Sequence, residues 1–148
     1  MWQALLSTTP DPAVALVRIV LGLVILPHGL QKLFGWFGGG GLRGTLSGFA
    51  SMGIPYPLTA AAITAESLGS VALIFGVFGR LAALGIAVVM LVATLRVHRP
   101  HGFFMNWYGQ NQGEGFEYHL LAMALALVVI WHGSGAWSVD LWLSRLLH

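Results

Sequence analysis

Residues 17–33, VRIVLGLVILPHGLQKL, form an apolar stretch that carries an arginine, a histidine and a lysine. At the periodicity of an α-helix, Arg18 and Lys32 lie on one stripe and His28 lies beside it. An ionisable group at the centre of a bilayer costs about 2.5–3.5 kcal/mol by insertion scales, so such groups turn toward other helices and often mark a functional site. The function of the chain therefore depends on which residues contact Arg18, His28 and Lys32.

The composition indicates an integral membrane protein. Hydrophobic residues make up 57% of the 148 residues and charged residues make up 8%, whereas about 25% charge is usual in soluble domains. The mean hydropathy is +0.79. The seven basic residues are scattered and form no patch for nucleic acid. Because the chain has no cysteine, a thiol redox cycle within it is excluded, and redox chemistry would require a bound cofactor.

Four apolar segments approach the roughly 20 residues that a membrane-spanning helix requires. They cover residues 13–33, 58–78, 81–97 and 116–132. We therefore predict an all-α, integral membrane four-helix bundle that forms a single domain over residues 1–148. Polar loops are predicted at 34–57 and 98–115, and the first, which is rich in glycine, is either a lid over the helix ends or a flexible connection.

Four consecutive spans alternate in direction, which brings most of the ionisable residues to one end of the bundle. The residues expected at this end, the polar mouth, are His28, Lys32, Arg96, His98, Arg99, His101, Glu114, Glu117 and His119. Glu66 lies deeper in the second span, where a carboxyl group is either protonated or paired with a cation. Arg18 approaches from the opposite end, about 15 Å from His28 at 1.5 Å per residue. Because these polar groups enter the helices themselves, they indicate a site rather than a solubility requirement.

Three kinds of chemistry suit such a mouth. Imidazole and carboxylate groups beside an apolar cleft can hydrogen-bond the carbonyl oxygens of a quinone and transfer its protons. A proton or small-solute pathway could use Glu66 facing Arg18 as a gating pair. The third is a metal or haem site, for which the candidate ligands are His28, His98, His119, Glu66 and Glu117. The sequence lacks the His-Glu-x-x-His pattern typical of helical metal sites, so no residue is assigned as a metal ligand.

Several short motifs occur in a specific order along the chain. They are RIVLGLVILPHGLQKLFG, FASMGIPYP, AESLGSVALIFGVFGRLAAL, HRPHGFF, GEGFEYHLL and GSGAWSVD. In these motifs the sequence resembles the DoxX family of small bacterial four-helix membrane proteins. The resemblance implies a multi-pass protein of the bacterial inner membrane that is linked to redox metabolism and to oxidative-stress partners. The residues that match the family pattern are Arg18, Gly29, Lys32, Glu66, Gly79, Arg80 and Glu117.

We therefore expect a membrane subunit that binds a quinone or a similar lipophilic redox molecule in the bundle and works with a partner oxidoreductase. The residues expected to carry catalysis are His28, Glu66 and His119, and those expected to bind substrate are Arg18, Lys32, His98 and Glu117. Arg18 and Glu66 are expected to form a buried polar pair. Whether the chain is catalytic on its own is left open.

Other classes of function stay open beside this one. One is a transporter or channel for a small solute or protons. Another is a haem- or metal-binding membrane subunit, or an assembly anchor whose buried charges serve packing only. Small residues would permit close helix contacts within the chain or between protomers of a homo-oligomer. These residues are Gly22, Gly29, Gly69 and Gly76.

Overall fold

The computed structural model describes residues 2–146, except for the side chains of Trp2 and Ala4. This part of the chain forms seven helices and contains no strand. They are α1 (Trp2–Leu6), α2 (Pro12–Phe34), α3 (Gly41–Ser51), α4 (Tyr56–Phe75), α5 (Gly79–His101), α6 (Glu117–His132) and α7 (Val139–Leu146). A 3₁₀ turn at Trp36–Gly38 follows α2.

Helices α2, α4 and α5 are each long and apolar enough to cross a membrane. The fourth apolar helix, α6, has 16 residues. Its length of about 24 Å is shorter than the roughly 30 Å hydrocarbon core of a bilayer. All four helices pack around one apolar core, which contains Leu21, Ile25, Leu73, Ala83, Ile86, Met90, Ala122, Ala126 and Val129. The prediction of an all-α membrane bundle is confirmed, with three long helices and one shorter one.

Local signals in the sequence set both ends of α2. Its N-cap is Asp11, whose carboxylate accepts a hydrogen bond from the Ala13 N–H at 2.7 Å. Pro12 fills the first helical position, where no N–H is needed. The C-cap is Gly35, in a left-handed conformation with φ of 76° that glycine adopts without strain. Helix α2 therefore extends one residue beyond the predicted segment 13–33 at each end.

Two glycines bring α2 into direct contact with the backbone of α4. A Cβ atom at Gly22 would lie 2.8 Å from the Ser70 carbonyl oxygen, and one at Gly29 would lie 2.5 Å from the Glu66 carbonyl oxygen. Both distances are too short for a real Cβ atom, so the two helices could not pack this closely with any larger residue. At these two positions the predicted close helix contacts are made within the chain.

The segment 34–57, predicted as a loop, contains α3. This helix lies against the end of α2, where the Thr45 hydroxyl donates to the Lys32 carbonyl oxygen at 3.2 Å. Its glycine content conceals the helix in the sequence, because glycine weakens a helix by about 1 kcal/mol per residue relative to alanine. The lid alternative stays a prediction, because the structure shows α3 packed against the end of α2 and no more.

Helix α5 continues beyond residue 97, its predicted end, and reaches His101. Its last residues form a π-turn at Thr94–His98 and a 3₁₀ turn at Arg99–His101. Pro100 lies in this 3₁₀ turn and has no backbone N–H to continue the hydrogen bonding of the helix, which ends one residue later. The loop predicted to begin at residue 98 therefore begins at residue 102.

Two buried charged residues, Arg18 and Asp140, hold the end of the bundle opposite the polar mouth. The Arg18 guanidinium donates to the backbone carbonyl oxygens of Leu73, Ile74, Ser134, Ala136 and Trp137. The Asp140 carboxylate accepts from the N–H groups of Phe78 and Gly79 at 2.8 and 2.9 Å, so it caps the start of α5. These bonds join α2, α4, α5 and the segment that follows α6.

The expected buried pair of Arg18 with Glu66 is wrong. Arg18 donates to carbonyl oxygens at the far end, whereas Glu66 forms a salt bridge with Lys32. Arg18 and Glu66 lie at different depths in the bundle. Arg18 is about 15 Å from His28 along α2, whereas Glu66 contacts α2 beside Gly29. At that depth the nearest acceptors are carbonyl oxygens at the C-terminus of α4, where the helix dipole favours a cation.

Replacing Arg18 with methionine keeps much of the apolar volume but removes all of these hydrogen bonds. We expect Arg18→Met to lower the free energy of unfolding by about 3 kcal/mol, as when a buried charge network loses a partner. Unfolding would be followed by circular dichroism during a sodium dodecyl sulfate titration of the detergent-solubilised chain. Arg145→Met, at an exposed position on α7, is the control. Equal losses in the two variants would contradict the anchoring role.

Candidate functional site

A cavity of about 690 Å³ lies between α4 and α5. Small-molecule sites in proteins usually measure about 300–1,000 Å³. Most of the wall is apolar and comes from α4, α5 and the end of α3. The polar side chains of the wall come from the mouth end of the bundle and are His28, Lys32, Glu66, Arg96, His98, Glu114, Tyr118 and His119. The cavity is therefore polar at one end and apolar elsewhere.

A salt bridge between Lys32 and Glu66 forms part of the cavity wall. Glu66 is only 3% exposed, so its negative charge depends on Lys32 for compensation. The residue lies on a π-turn of α4, Ala65–Gly69, and Gly29 allows α2 to touch that turn. Because Lys32 follows Gly29 by about one helical turn, its ammonium group reaches the carboxylate.

Two ring contacts join α2, α5 and α6 at the polar end of the cavity. The ring centroids of His98 and His119 are 4.1 Å apart, and those of His28 and Tyr118 are 5.9 Å apart. His98 Nδ1 lies 2.9 Å from the Glu114 carbonyl oxygen. Because a carbonyl oxygen only accepts, Nδ1 carries the proton in this hydrogen bond, and neutral His98 keeps Nε2 as an acceptor.

Within the described part of the chain, two buried polar atoms beside the cavity have no hydrogen-bond partner. They are the Tyr118 hydroxyl oxygen and His119 Nδ1. Both residues line the cavity. An unpaired polar group in a protein interior costs about 1–3 kcal/mol, and native proteins retain few of them. Each of the two atoms exposes less than 1 Å² of surface, so a molecule in the cavity would contact it only after a small rotation of the side chain.

The structure brings together five of the predicted site residues. Those that line the cavity are His28, Lys32, Glu66, His98 and His119. Arg18 is not among them, because it lies at the opposite end of the bundle. Glu117 is directed away from the cavity, where its Oε1 accepts from the Met105 N–H at 2.9 Å and from Trp107 Nε1 at 3.3 Å.

Helix geometry explains the position of Glu117. Glu117 and His119 are two positions apart on α6, which places them about 200° apart around the helix. His119 therefore faces the cavity while Glu117 faces the loop of residues 102–116. The hydrogen bonds that the Glu117 carboxylate accepts hold this loop, and Met105 of the loop lines the cavity. Glu117 thus positions a wall segment, instead of lining the cavity as expected.

Sequence reasoning missed Tyr118 and the two π-turns. Such turns are frequent at functional sites, and here both border the cavity, one carrying Glu66 and the other His98. The sequence contains a signal for the π-turns in its serine and threonine residues. Their hydroxyl groups can donate to the carbonyl oxygen four residues earlier, and this hydrogen bond tends to bend a helix. The residues that make this bond are Ser67, Ser70 and Thr94.

Among the described residues, no group of three histidine, aspartate or glutamate side chains lies close enough to hold a metal ion. Two of the candidate ligands are engaged elsewhere, since Glu66 pairs with Lys32 and Glu117 bonds the loop. The metal hypothesis therefore has no complete ligand set in the described geometry. The haem hypothesis stays a prediction.

The salt bridge in the wall can be tested by a double-mutant cycle. We expect Lys32→Met to lower the free energy of unfolding by about 3 kcal/mol, because it leaves a buried carboxylate without its cation. Adding Glu66→Gln should restore much of that loss, since the neutral amide needs no counter-charge. The measurement is the same detergent titration, with Arg43→Met on the exposed face of α3 as the control. Strictly additive effects of the two substitutions would show that the pair is not coupled.

Comparison with known proteins identifies the family. The DoxX family model matches residues 13–99, which is more than half of the chain. The uncharacterized membrane protein Rv3486 of Mycobacterium tuberculosis is 31% identical over 157 aligned residues, which cover 97% of this chain and 89% of the relative. A second relative, named "Putative oxidoreductase CatD", of Bacillus subtilis, is 26% identical over 114 residues, covering 77% of this chain and 75% of its own. No solved structure matches the chain. The family match and the nearly full-length relative together establish that the chain belongs to the DoxX family.

Proposed function

We propose that the chain binds a quinone, or a similar lipophilic molecule with ring carbonyl oxygens, at the polar end of the cavity. The observation that carries the proposal is the pair of unpaired buried atoms, the Tyr118 hydroxyl oxygen and His119 Nδ1. Both belong to residues that line a mostly apolar cavity. A quinone has the matching chemistry, because its ring is apolar and its two oxygens accept hydrogen bonds.

The unpaired groups suit both redox forms of such a ligand. A tyrosine hydroxyl donates and accepts, and a neutral imidazole has one donor and one acceptor nitrogen. Tyr118 can therefore donate to a carbonyl oxygen of the oxidised form or accept from a hydroxyl group of the reduced form. His119 can do the same through Nδ1, depending on its tautomer.

The surrounding groups can supply and remove protons. The His98 ring packs against the His119 ring at an interplanar angle of 39°, and His28 packs against Tyr118, so each unpaired atom belongs to a residue with an imidazole neighbour. An imidazole ring can accept or donate a proton at its ring nitrogens. In this proposal His28 and His119 carry the acid–base chemistry, and the salt bridge of Lys32 with Glu66 keeps a compensated charge beside the ring.

In this proposal a partner protein supplies the electrons, and the chain itself has no cysteine for a thiol couple. The relative named as an oxidoreductase supports a link to redox chemistry. We therefore propose a membrane subunit of the bacterial inner membrane that works with a partner oxidoreductase. A homo-oligomer stays a prediction.

The transport hypothesis is weaker in this structure, because its gating pair is absent. Arg18 and Glu66 have separate partners at different depths. The assembly-anchor hypothesis accounts for Arg18 and Asp140, whose polar atoms are bonded to the backbone. It does not account for the unpaired atoms at the opposite end, which favour a bound molecule.

Removing the Tyr118 hydroxyl tests the proposal. Tyr118→Phe keeps the ring contact with His28 and removes one hydrogen bond, so affinity for a quinone should fall about 2- to 12-fold, equivalent to 0.5–1.5 kcal/mol. The measurement is a titration of the detergent-purified chain with 2,3-dimethoxy-5-methyl-1,4-benzoquinone, followed by isothermal titration calorimetry. Tyr108→Phe is the matched control, because Tyr108 is 87% exposed and lies outside the cavity.

Absorption spectra of the purified chain, oxidised and after dithionite, separate this proposal from the haem hypothesis. Quinone extracted from the sample without a Soret band supports the proposal. A Soret band that shifts on reduction would contradict the quinone proposal and would indicate a haem-binding subunit. If the wild-type chain binds quinone and Tyr118→Phe binds it with unchanged affinity, the ligand does not contact the Tyr118 hydroxyl group.

A further inference from the structure

Helices α4 and α5 touch at one level and separate toward the polar mouth. The contact lies where a Cβ atom at Gly85 would be 3.4 Å from the Ala65 Cβ atom, an ordinary van der Waals distance. Because a short turn joins the two helices, they run in opposite directions, and residues before Ala65 on α4 lie opposite residues after Gly85 on α5. Side chains from both stretches, 58–65 on α4 and 85–98 on α5, line the cavity. We call the space between these two stretches the gap.

One stripe of α5 borders the gap. Val88, Val92 and Arg96 follow one another at four-residue spacing, and all three line the cavity. Val88 is 52% exposed and Val92 is 44% exposed. On a membrane-spanning helix, exposed apolar side chains of this kind contact lipid acyl chains. The gap therefore opens to the hydrocarbon layer, and its apolar stripe ends in a cation.

The gap is as tall as the acyl-chain region of one leaflet. Gly85 and Arg96 are about 16 Å apart along the axis of α5 at 1.5 Å per residue, and half of the hydrocarbon core is about 15 Å thick. If the gap were empty, its lining atoms would lose their dispersion contacts. Water is a poor filling, because the apolar wall offers it few hydrogen bonds. An acyl chain of the adjacent leaflet fits the gap in both length and polarity.

Arg96 is exposed at the mouth end of the gap. Among the described residues it forms no hydrogen bond or ion pair. Lys32, which also lines the cavity, is paired with Glu66. The carboxylate of Glu114 lines the cavity as well, but its Oε2 accepts from the Asn106 N–H at 2.7 Å. The guanidinium of Arg96 is therefore available to an anion.

The position of Arg96 on α5 places its charge at the level of the lipid headgroups. Arg96 lies about 7 Å before the end of the helix at 1.5 Å per residue. A long arginine side chain near the end of a membrane helix extends to the interface and keeps its charge there. Its planar guanidinium matches the oxygens of a phosphate group, which it can bind through two parallel hydrogen bonds. A phosphate group above an acyl chain in the gap would contact this cation.

We propose that an anionic phospholipid of the leaflet on the mouth side binds in the gap, with one acyl chain between α4 and α5 and its phosphate group on Arg96. Two further exposed arginines, Arg43 and Arg99, lie at the same end, and their charge favours a lipid with net negative charge over a zwitterionic one. The bound lipid completes the cavity wall where the two helices separate. This site is independent of the proposed function, because the quinone proposal assigns no role to Arg96 or to the gap.

The experiment counts bound lipid on the full-length chain by native mass spectrometry. The chain is delipidated in detergent and titrated with palmitoyl-oleoyl phosphatidylglycerol, which is anionic, or with palmitoyl-oleoyl phosphatidylcholine, which has the same acyl chains and no net charge. Arg96→Gln removes the cation of the gap. Arg99→Gln is the matched control, because Arg99 is exposed on the same helix and lies outside the cavity.

We expect the wild-type chain to bind phosphatidylglycerol at least about tenfold more tightly than phosphatidylcholine. A tenfold change corresponds to about 1.4 kcal/mol, close to the contribution of one hydrogen bond to a charged group. Arg96→Gln should abolish this preference, whereas Arg99→Gln should change it by less than about threefold, as is usual for an exposed charge.

A second pair of variants tests the position of the acyl chain. Ala62→Leu places a larger side chain in the gap, and Ala60→Leu places the same side chain at an exposed position outside the cavity. Overpacking of a filled site is unfavourable, so Ala62→Leu should weaken phosphatidylglycerol binding about fivefold. Ala60→Leu should leave this binding within about twofold of wild type.

Other outcomes would overturn the proposal. Absence of bound lipid, equal affinity for the two lipids, or equal losses in Arg96→Gln and Arg99→Gln would show that the gap holds no specific site for an anionic lipid. Displacement of the lipid by millimolar inorganic phosphate would identify a phosphate site that needs no acyl chain. Loss of a dimer in Ala62→Leu, with unchanged lipid binding, would place a second copy of the chain in the gap. Each of these outcomes leaves the quinone titration of Tyr118→Phe to decide the proposed function separately.

Discussion

The salt bridge between Lys32 and Glu66 is the contact on which the site depends. A carboxylate inside a membrane bundle is costly unless a cation lies beside it. Gly29 allows α2 to touch the π-turn that carries Glu66, and Lys32 then lies one turn farther along the same helix. This contact fixes how α2 and α4 pack at the mouth, and it sets the depth at which the cavity becomes polar.

The two ends of the bundle use buried polar groups in opposite ways. At the far end, Arg18 and Asp140 are bonded to backbone groups of several helices. A fully satisfied polar network stabilises a single arrangement of the helices. At the mouth, Tyr118 and His119 each keep an unpaired buried atom among the described groups. The hydrogen bonds of the far end therefore fix the packing of the helices, and our proposal assigns the unpaired groups of the mouth to the ligand.

Much of this arrangement followed from the sequence, because it depends on helix direction alone. Alternating spans bring His28, Lys32, His98 and His119 to one end, and these residues line the cavity. The partners of Arg18 could not be predicted, since backbone carbonyl oxygens leave no trace in the sequence. Helix α3 was missed because its glycines suggest a loop, and Tyr118 was missed because a tyrosine in an apolar helix is usually a packing residue. The π-turns shift the register by one residue, which a regular 3.6-residue periodicity does not represent.

Infrared difference spectroscopy of bound quinone would report the proposed hydrogen bond at the ligand itself. The full-length chain would be loaded with ubiquinone carrying ¹³C at one ring carbonyl carbon and then at the other, so that each carbonyl stretch is assigned separately. A hydrogen bond from Tyr118 weakens one C=O bond. That band should lie at lower frequency than in lipid alone and return toward the lipid value in Tyr118→Phe. Carbonyl bands identical to those of quinone in lipid, in both proteins, would contradict a quinone held at this site.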